Sequence, residues 1–317
     1  MTAHVAVVGS LNMDLVARAP RIPRPGETII GRDFHTLPGG KGANQAVAAA
    51  RLGARVAMVG RVGRDVFAKL LLDNLAAAGV DHTFVIEDPE AATGVALIEV
   101  DDGGQNSIVV ASGANMRLTP ADVDAAEATI AAADVLLLQL ETPLETVVHA
   151  AQAARAHGVR VLLNPAPARP LPPALLSLVD VLVPNESETA LLTGMPVGNQ
   201  AQVEAAARAL RGSGAGAVIL TLGERGALLA QAEKTEHFPA FAVTAVDTTA
   251  AGDAFMGGLA VALTEGASLA EGVRWGNAAG ALAATQLGAQ PSLPTRQAVE
   301  KLLIEGTTQT IATGDRS

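Results

Sequence analysis

Asp253 stands just behind a run of small residues, Thr248 to Gly252, at the point where the sequence turns helical. The following stretch, AFMGGLAVALTEG, carries apolar residues at helical spacing. The start of a helix exposes unpaired backbone N–H groups and attracts phosphate. A carboxylate in that first turn repels phosphate, so the acid has one of two purposes. It complements the helix dipole, or it acts as a base. In the second case the amides of Ala250, Ala251, Gly252 and Asp253 form an anion hole for a phosphoryl group. Asp253 then takes the proton from a hydroxyl held in line with that group.

Other polar residues follow apolar runs in the same way. Gly39–Ala46 (GGKGANQA) precedes a helix, and its glycines let backbone approach a ligand beside Lys41 and Asn44. The alternative is a tight loop with a solvated lysine. Ser10–Asp14 (SLNMD) and Gln139–Pro143 (QLETP) each follow a short apolar run. Ligands of open α/β sheets sit at strand carboxyl ends. Asn12, Asp14 and Glu141 are therefore candidates for pairing with hydroxyl groups. An Asx turn and first-turn charge are the plain alternatives. Asn185 and Glu188, three apart in PNESE, suit a hydrated Mg²⁺ with phosphate oxygens, or equally a helix capping box. Thr221–Gly226 (TLGERG) passes beneath a nucleotide or is simply a hairpin.

Positioning these residues requires a scaffold of alternating strands and helices. Apolar runs at Val5–Val8, Val56–Val59, Val135–Leu138, Val159–Leu163, Val179–Val183 and Val218–Leu220 read as buried strands. Ala43–Leu52, Val66–Ala78, Leu144–His157 and Ala201–Leu210 read as helices, and Gly53 and Gly158 close two of them. The expected fold is α/β, a doubly wound, mostly parallel sheet with helices on both faces. Residues 12–37 and 93–111 break the alternation and read as a small β-sheet lid, with a hairpin at DDGG. The main α/β domain then comprises 1–11, 38–92 and 112–304, and a polar tail occupies 305–317.

The 317 residues are 49% hydrophobic and 17% charged, which fits a soluble globular chain. Net charge is −10, which argues against nucleic acid as a partner. There is no cysteine, hence no disulfide or thiolate metal site, and a reducing cytoplasm is the expected setting. The N-terminus reads as a strand rather than a signal peptide, and no apolar run is long enough to span a membrane. Walker A is absent: Gly42 follows Lys41, and His35 stands at the leading glycine position.

With these stretches together, the sequence closely resembles the PfkB family of carbohydrate kinases and, within it, the ribokinases. The carriers are NMD at 12–14, GGKGANQA, TGVA from Thr93, QLE, NPAPAR, PNE, TLGERG, DTTAAGD at 247–253 and GAQPS at 288–292. The resemblance covers residues 4 to 304. It implies ATP-dependent phosphorylation of D-ribose at its 5-hydroxyl and a homodimer joined through the lids. By position, Asn12, Asp14, Gly40, Lys41, Gly42, Asn44 and Glu141 would hold the sugar, with Asp253 as base. Asn185, Thr221, Leu222, Gly223, Glu224, Arg225, Gly226, Gly252 and Asn277 would contact ATP. Glu188 would act on Mg²⁺ through water. Asp247, Thr249, Ala283, Gln286, Gly288 and Ser292 match a K⁺ site, several of them through carbonyls. Thr249 and Asn277 depart from common family choices, an aliphatic residue and a histidine. Alternatives are a kinase of the same type for 2-deoxyribose, fructose or a nucleoside, and a non-catalytic sugar-binding regulator.

Overall fold

The computed structural model describes residues 3–314. Residues 1–2 of the expected main domain and 315–317 of the expected tail lie outside the described residues. The strands are β1 (His4–Val8), β2 (Asn12–Arg18), β3 (Asp33–Gly39), β4 (Arg55–Gly63), β5 (Val80–Asp88), β6 (Gly94–Val100), β7 (Asn106–Ala111), β8 (Val135–Leu138), β9 (Arg160–Leu163), β10 (Val181–Leu182), β11 (Ala217–Thr221), β12 (Ala227–Gln231) and β13 (Lys234–Phe238). The first helices are α1 (Lys41–Arg51), α2 (Val66–Ala77), α3 (Pro120–Ala125), α4 (Glu127–Ala131), α5 (Leu144–Ala156) and α6 (Pro173–Leu176). They are followed by α7 (Glu186–Thr193), α8 (Gln200–Gly212), α9 (Ala251–Thr264), α10 (Leu269–Ala283), α11 (Ala289–Ser292) and α12 (Arg296–Gly314).

Nine strands form the large sheet in the order β13-β12-β11-β10-β9-β8-β1-β4-β5. Pairing is parallel from β5 to β11, and β12 and β13 add an antiparallel edge. Side chains alternate across a strand, so each apolar strand feeds two cores. Val5, Val7 and Leu137 pack on one side with α1, α2, α9 and α10. Ala6, Val8, Leu136 and Leu138 pack on the other with α5 and α8. Burying each Val or Leu contributes roughly 1.5–3 kcal/mol. This two-sided burial makes the strands read as unbroken apolar runs. Small residues draw α9 close to its neighbours: a β-carbon on Gly257 would stand 2.5 Å from that of Ala48 in α1.

The other four strands form a separate sheet, ordered β3-β2-β6-β7. β2 and β6 run parallel, and the outer pairs are antiparallel. The β6–β7 hairpin turns at Asp101–Gly104, where Gly104 takes φ 78° and its N–H donates to Asp101 O (3.0 Å). Phe34, Leu97, Ile108, Val109 and Val110 leave apolar surface exposed on this sheet.

Several elements differ from expectation. β5, β12 and β13 were not anticipated: β5 and β13 are partly exposed edges of mixed polarity, and β12 is a short buried apolar run that follows the TLGERG turn directly. TLGERG does join an antiparallel pair, through a short 3₁₀ turn at Gly223–Arg225. The polar segment from Glu305 continues α12 as helical backbone to Gly314. The helix is anchored at its start: Leu302 and Leu303 pack on the core, and Gly306 lies against the Phe241 ring. Among the described residues no helix is long and apolar enough to cross a membrane.

Candidate active site

Polar residues gather where the parallel strands end. Thr221 ends β11, and Asn185, Asn164, Glu141 and Ser10 follow β10, β9, β8 and β1, in the order in which those strands lie side by side. This is the edge at which open α/β sheets bind ligands. Only Gly9–Leu11 separates β1 from β2, so Asn12 and Asp14 enter the site from the base of the small sheet.

Gly40 caps α1 with φ 86°. A β-carbon there would stand 2.6 Å from the Asn12 nitrogen, so only glycine lets the chain pass. The Lys41 N–H donates to Glu141 Oε2 (3.1 Å), and the Gly42 N–H donates to Ser10 Oγ (3.2 Å). Ser10 Oγ in turn donates to the same Glu141 oxygen. One turn further, Asn44 Nδ2 donates to Asp253 Oδ2 (2.9 Å) and Gln45 Nε2 to Asp253 Oδ1 (3.0 Å). Asn44 Oδ1 is buried and has no protein donor among the described residues. It is an acceptor set beside the carboxylate and free to receive a hydroxyl.

Charge is concentrated here. Burial lifts the Asp253 carboxyl above the usual range, against the pull of Lys41 and the two amide donors, and Glu141 adds to the rise. Burial, then the negative charges of Glu141 and Asp253, push Asp14 up to about 7, although Lys41 opposes them. Burial alone would depress the Lys41 ammonium, but Asp253, Glu141, Glu188 and Asp14 outweigh it and hold it protonated. Burial also raises Glu188, against the Asn185 N–H and Lys41. One lysine therefore sits among four carboxylates.

Asp253 lies in the first turn of α9, which begins behind Ala250 in the left-handed conformation (φ 59°) without a side-chain cap. One of the four expected anion-hole amides is engaged elsewhere. Ala251 N–H donates to Thr248 O (3.2 Å), because the left-handed residue folds 248–251 into a tight turn. The amides of Ala250, Gly252 and Asp253 have no protein acceptor among the described residues. A β-carbon on Gly252 would meet nothing within 4 Å, so this helix start faces open space.

On the far side of Asp253, Asn185 and Glu188 form a complete capping box for α7. Asn185 Oδ1 accepts from the Glu188 N–H (2.8 Å), and Glu188 Oε2 accepts from the Asn185 N–H (2.8 Å). Glu188 Oε1 also accepts from Asn185 Nδ2 (3.0 Å). Thr221 bridges to Asn185 across the sheet end. The loop beyond it closes by Leu222 N–H to Gly226 O (2.8 Å) and Gly226 N–H to Gly223 O (2.9 Å). Glu224 is exposed, and Arg225 pairs with Glu186. Asn277 Nδ2 is shared between the carbonyls of Phe238 and Pro239 (both 3.3 Å).

Behind the helix start, Asp247 Oδ1 accepts from Thr249 N–H (2.9 Å) and Thr249 Oγ1 (2.6 Å), and its Oδ2 accepts from Gly288 N–H (2.8 Å). Burial would raise this carboxyl, but those three hydrogen bonds bring it below the usual range. Ala283 O accepts from Gln286 N–H (3.1 Å), and buried Ser292 donates to Ala289 O (2.7 Å). The structure thus ties 247, 249 and 288 together directly, with Ala283 and Gln286 paired at the end of α10. Among the described residues no group of three or more His, Asp or Glu side chains could hold a metal ion.

Three site residues were given no role in the sequence reading, although Gln45 stands in GGKGANQA and Asn164 opens NPAPAR. Gln45 touches Asp253, and Asn164 accepts from Gln45 (3.3 Å). Asn115 grips Asn12, its Nδ2 donating to Asn12 Oδ1 (2.7 Å) while its Oδ1 accepts from Leu11 N–H (2.9 Å). Each acts across more than a hundred residues, which no local spacing records.

The model for the pfkB family carbohydrate kinases matches residues 2–296. A ribokinase of Haemophilus influenzae is 46% identical over 297 residues, covering 94% of this chain and 97% of that protein. A deoxyribokinase of Salmonella typhi is 42% identical over 292 residues, covering 92% and 95% respectively. The solved structure of Arabidopsis thaliana ribokinase complexed with ribose and ATP superposes with a TM-score of 0.88 at 37% identity, covering 96% of this chain and 99% of that one. A match across nearly the full length means that the chain belongs to the PfkB family of carbohydrate kinases.

Proposed function

We propose that the chain transfers the γ-phosphoryl group of ATP to O5 of D-ribose, giving D-ribose 5-phosphate and ADP. The observation that carries this reading is the pairing of Asp253 with Asn44. A buried carboxylate is fixed at an open helix start, beside an amide oxygen that awaits a donor. Asn12, Asp14, Gly40, Lys41, Gly42, Asn44 and Glu141 hold the sugar. Asp253 removes the O5 proton as O5 bonds to the γ-phosphorus and the bond to the ADP oxygen breaks. The free amides of Ala250, Gly252 and Asp253 stabilise the charge on the transferring group. The nucleotide runs along Asn185, the 221–226 loop, Gly252 and Asn277.

Glu188 fits Mg²⁺ held through water, since Mg²⁺ takes few protein oxygens and this is a single buried carboxylate. Mg²⁺ would neutralise phosphate charge. Asp247, Thr249, Ala283, Gln286, Gly288 and Ser292 would hold K⁺, chiefly through carbonyls; the carboxylate of Asp247 already orders that loop. The small sheet serves as a lid and, by its exposed Phe34, Leu97 and Val109, as the contact of a homodimer. ATP as donor fits a cytoplasmic setting.

A second reading, a 2-deoxyribose kinase, is favoured by the 42% identity to a deoxyribokinase. A site that pairs with the 2-hydroxyl penalises its absence. The test is kcat/KM on a panel of pentoses, hexoses and nucleosides, with and without K⁺. Ribose is expected to lead, and a 2-deoxyribose value equal to it or above overturns the assignment. Asp253→Asn is expected to keep ribose binding and lower kcat by roughly two orders of magnitude or more.

A further inference from the structure

Gln45, Gln139 and Asn164 form a chain of side-chain amides that ends on Asp253. Gln139 Nε2 donates to Gln45 Oε1 (2.6 Å). Gln45 Nε2 donates to Asp253 Oδ1 (3.0 Å) and to Asn164 Oδ1 (3.3 Å). Asn164 Nδ2 donates to the Val183 carbonyl (2.9 Å). Carbonyl and carboxylate oxygens only accept, so the two ends set the direction of the whole chain. Asn164 must turn its NH₂ to Val183, Gln45 its NH₂ to Asp253, and Gln139 its NH₂ to Gln45.

The arrangement leaves a defect. Gln139 is buried, and its Oε1 has no donor among the described residues. That oxygen lies over Gly9, where a β-carbon would stand 2.1 Å away. Turning the Gln139 amide over would set two oxygens against each other at Gln45. An orphaned buried acceptor in a folded protein asks for a reason, and here the reason is the direction imposed on Gln45.

We propose that Asn164, Gln45 and Gln139 form a positioning relay that keeps a hydrogen-bond donor on Asp253 Oδ1, while Oδ2, which also accepts from Asn44, meets the sugar hydroxyl. This rests on the reading of Asp253 as the base. Neither glutamine reaches the sugar in that role. The charged groups around Asp253 are Lys41 from α1, Glu141 after β8, Asp14 from β2 and Glu188 from α7. None of them belongs to the relay, so a change in it alters one contact of the base.

The test compares Gln139→Glu with Gln139→Leu, each measured for kcat, ribose KM and the pH profile of kcat. The glutamate side chain of the first variant only accepts, so it turns Gln45 over and sets the Gln45 oxygen against Asp253. The expected result is a fall in kcat of ~10-fold or more, ribose KM within about twofold, and an acid limb moved to higher pH. The leucine of the second variant removes the donor without reversing Gln45, so kcat is expected to fall by less than in Gln139→Glu, with an unshifted limb. Equal losses and equal pH profiles in the two variants overturn the relay. If Gln139→Glu does not fold, Gln45→Glu replaces it. A second carboxylate on Asp253 should move the acid limb upward by about one pH unit or more, and an unmoved limb overturns the proposal. Wild-type turnover of ribose and loss of turnover in Asp253→Asn are measured alongside. Their failure sinks the kinase reading itself and is distinct from failure of the relay.

Discussion

Gly39 lies directly over the carboxylate of Asp14: a β-carbon at position 39 would stand 2.3 Å from Oδ2 and 2.5 Å from Oδ1. The contact joins the end of β3 to the start of β2 and leaves the acid a single place to point. Gly39→Ala must therefore displace Asp14 while leaving Asp253 untouched. Ribose KM is expected to rise about tenfold, equivalent to ~1.4 kcal/mol, with kcat changed far less. Steady-state kinetics with ribose as the varied substrate decide it, and an unchanged KM removes Asp14 from the sugar site.

Gly252 offers the opposite case. A methyl group there meets no protein atom within 4 Å, so Gly252→Ala should fold with a melting temperature close to wild type. The methyl would intrude on the space before the α9 amides. The expected effect is a fall of ~10-fold or more in kcat/KM for ATP. Full activity in a folded Gly252→Ala protein would mean that phosphate does not approach this helix start.

The Asp14 carboxyl, lifted from its usual 3.8 to about 7, makes stability depend on pH. Between those values the folded protein binds more protons than the unfolded chain. The contribution is complete below 3.8 and is lost as pH rises through about 7. Asp14→Asn cannot ionise and should escape this loss. Its melting temperature should exceed that of wild type by a wider margin near pH 8 than near pH 5. Parallel melting curves for the two proteins across that range would contradict the assignment.

Turnover should show a related limb. Asp253 must be unprotonated to accept a proton, and burial lifts its carboxyl above the ordinary range. kcat should therefore rise with pH to a plateau, with its midpoint above that of a solvent-exposed aspartate. Stopped-time assays at saturating ribose and ATP measure it. A flat profile down to the usual carboxylate range would remove Asp253 as the titrating group.

The sequence discloses most of the scaffold and the charged half of the site, for a physical reason. Strands buried on both faces, such as Val135–Leu138, write their environment into composition. Glycine caps and first-turn acids mark helix ends locally. Asp253, Lys41 and Glu188 are visible because their charge needs explaining wherever it stands. Gln45, Asn115 and Asn164 are neutral amides, and each suits a surface as well as a core. Their partners lie 208, 103 and 119 positions away. Gln45 and Asn164 stand in the stretches GGKGANQA and NPAPAR, but nothing local tells which of their partners they reach, and Asn115 lies in no such stretch. The same holds for Ala251, whose amide is claimed by a turn that depends on one backbone angle at Ala250.

The three-residue step Gly9–Leu11 between the two sheets also has a mechanical consequence. Asn12 and Asp14 ride on the small sheet, whereas Asp253 is fixed to the large one. On the function proposed above, any swing of the former about that short crank would carry the sugar's anchors away from the base. Gripping the acceptor and sealing it from water would then be a single stroke, and a gaping molecule would be disarmed before its contents met solvent.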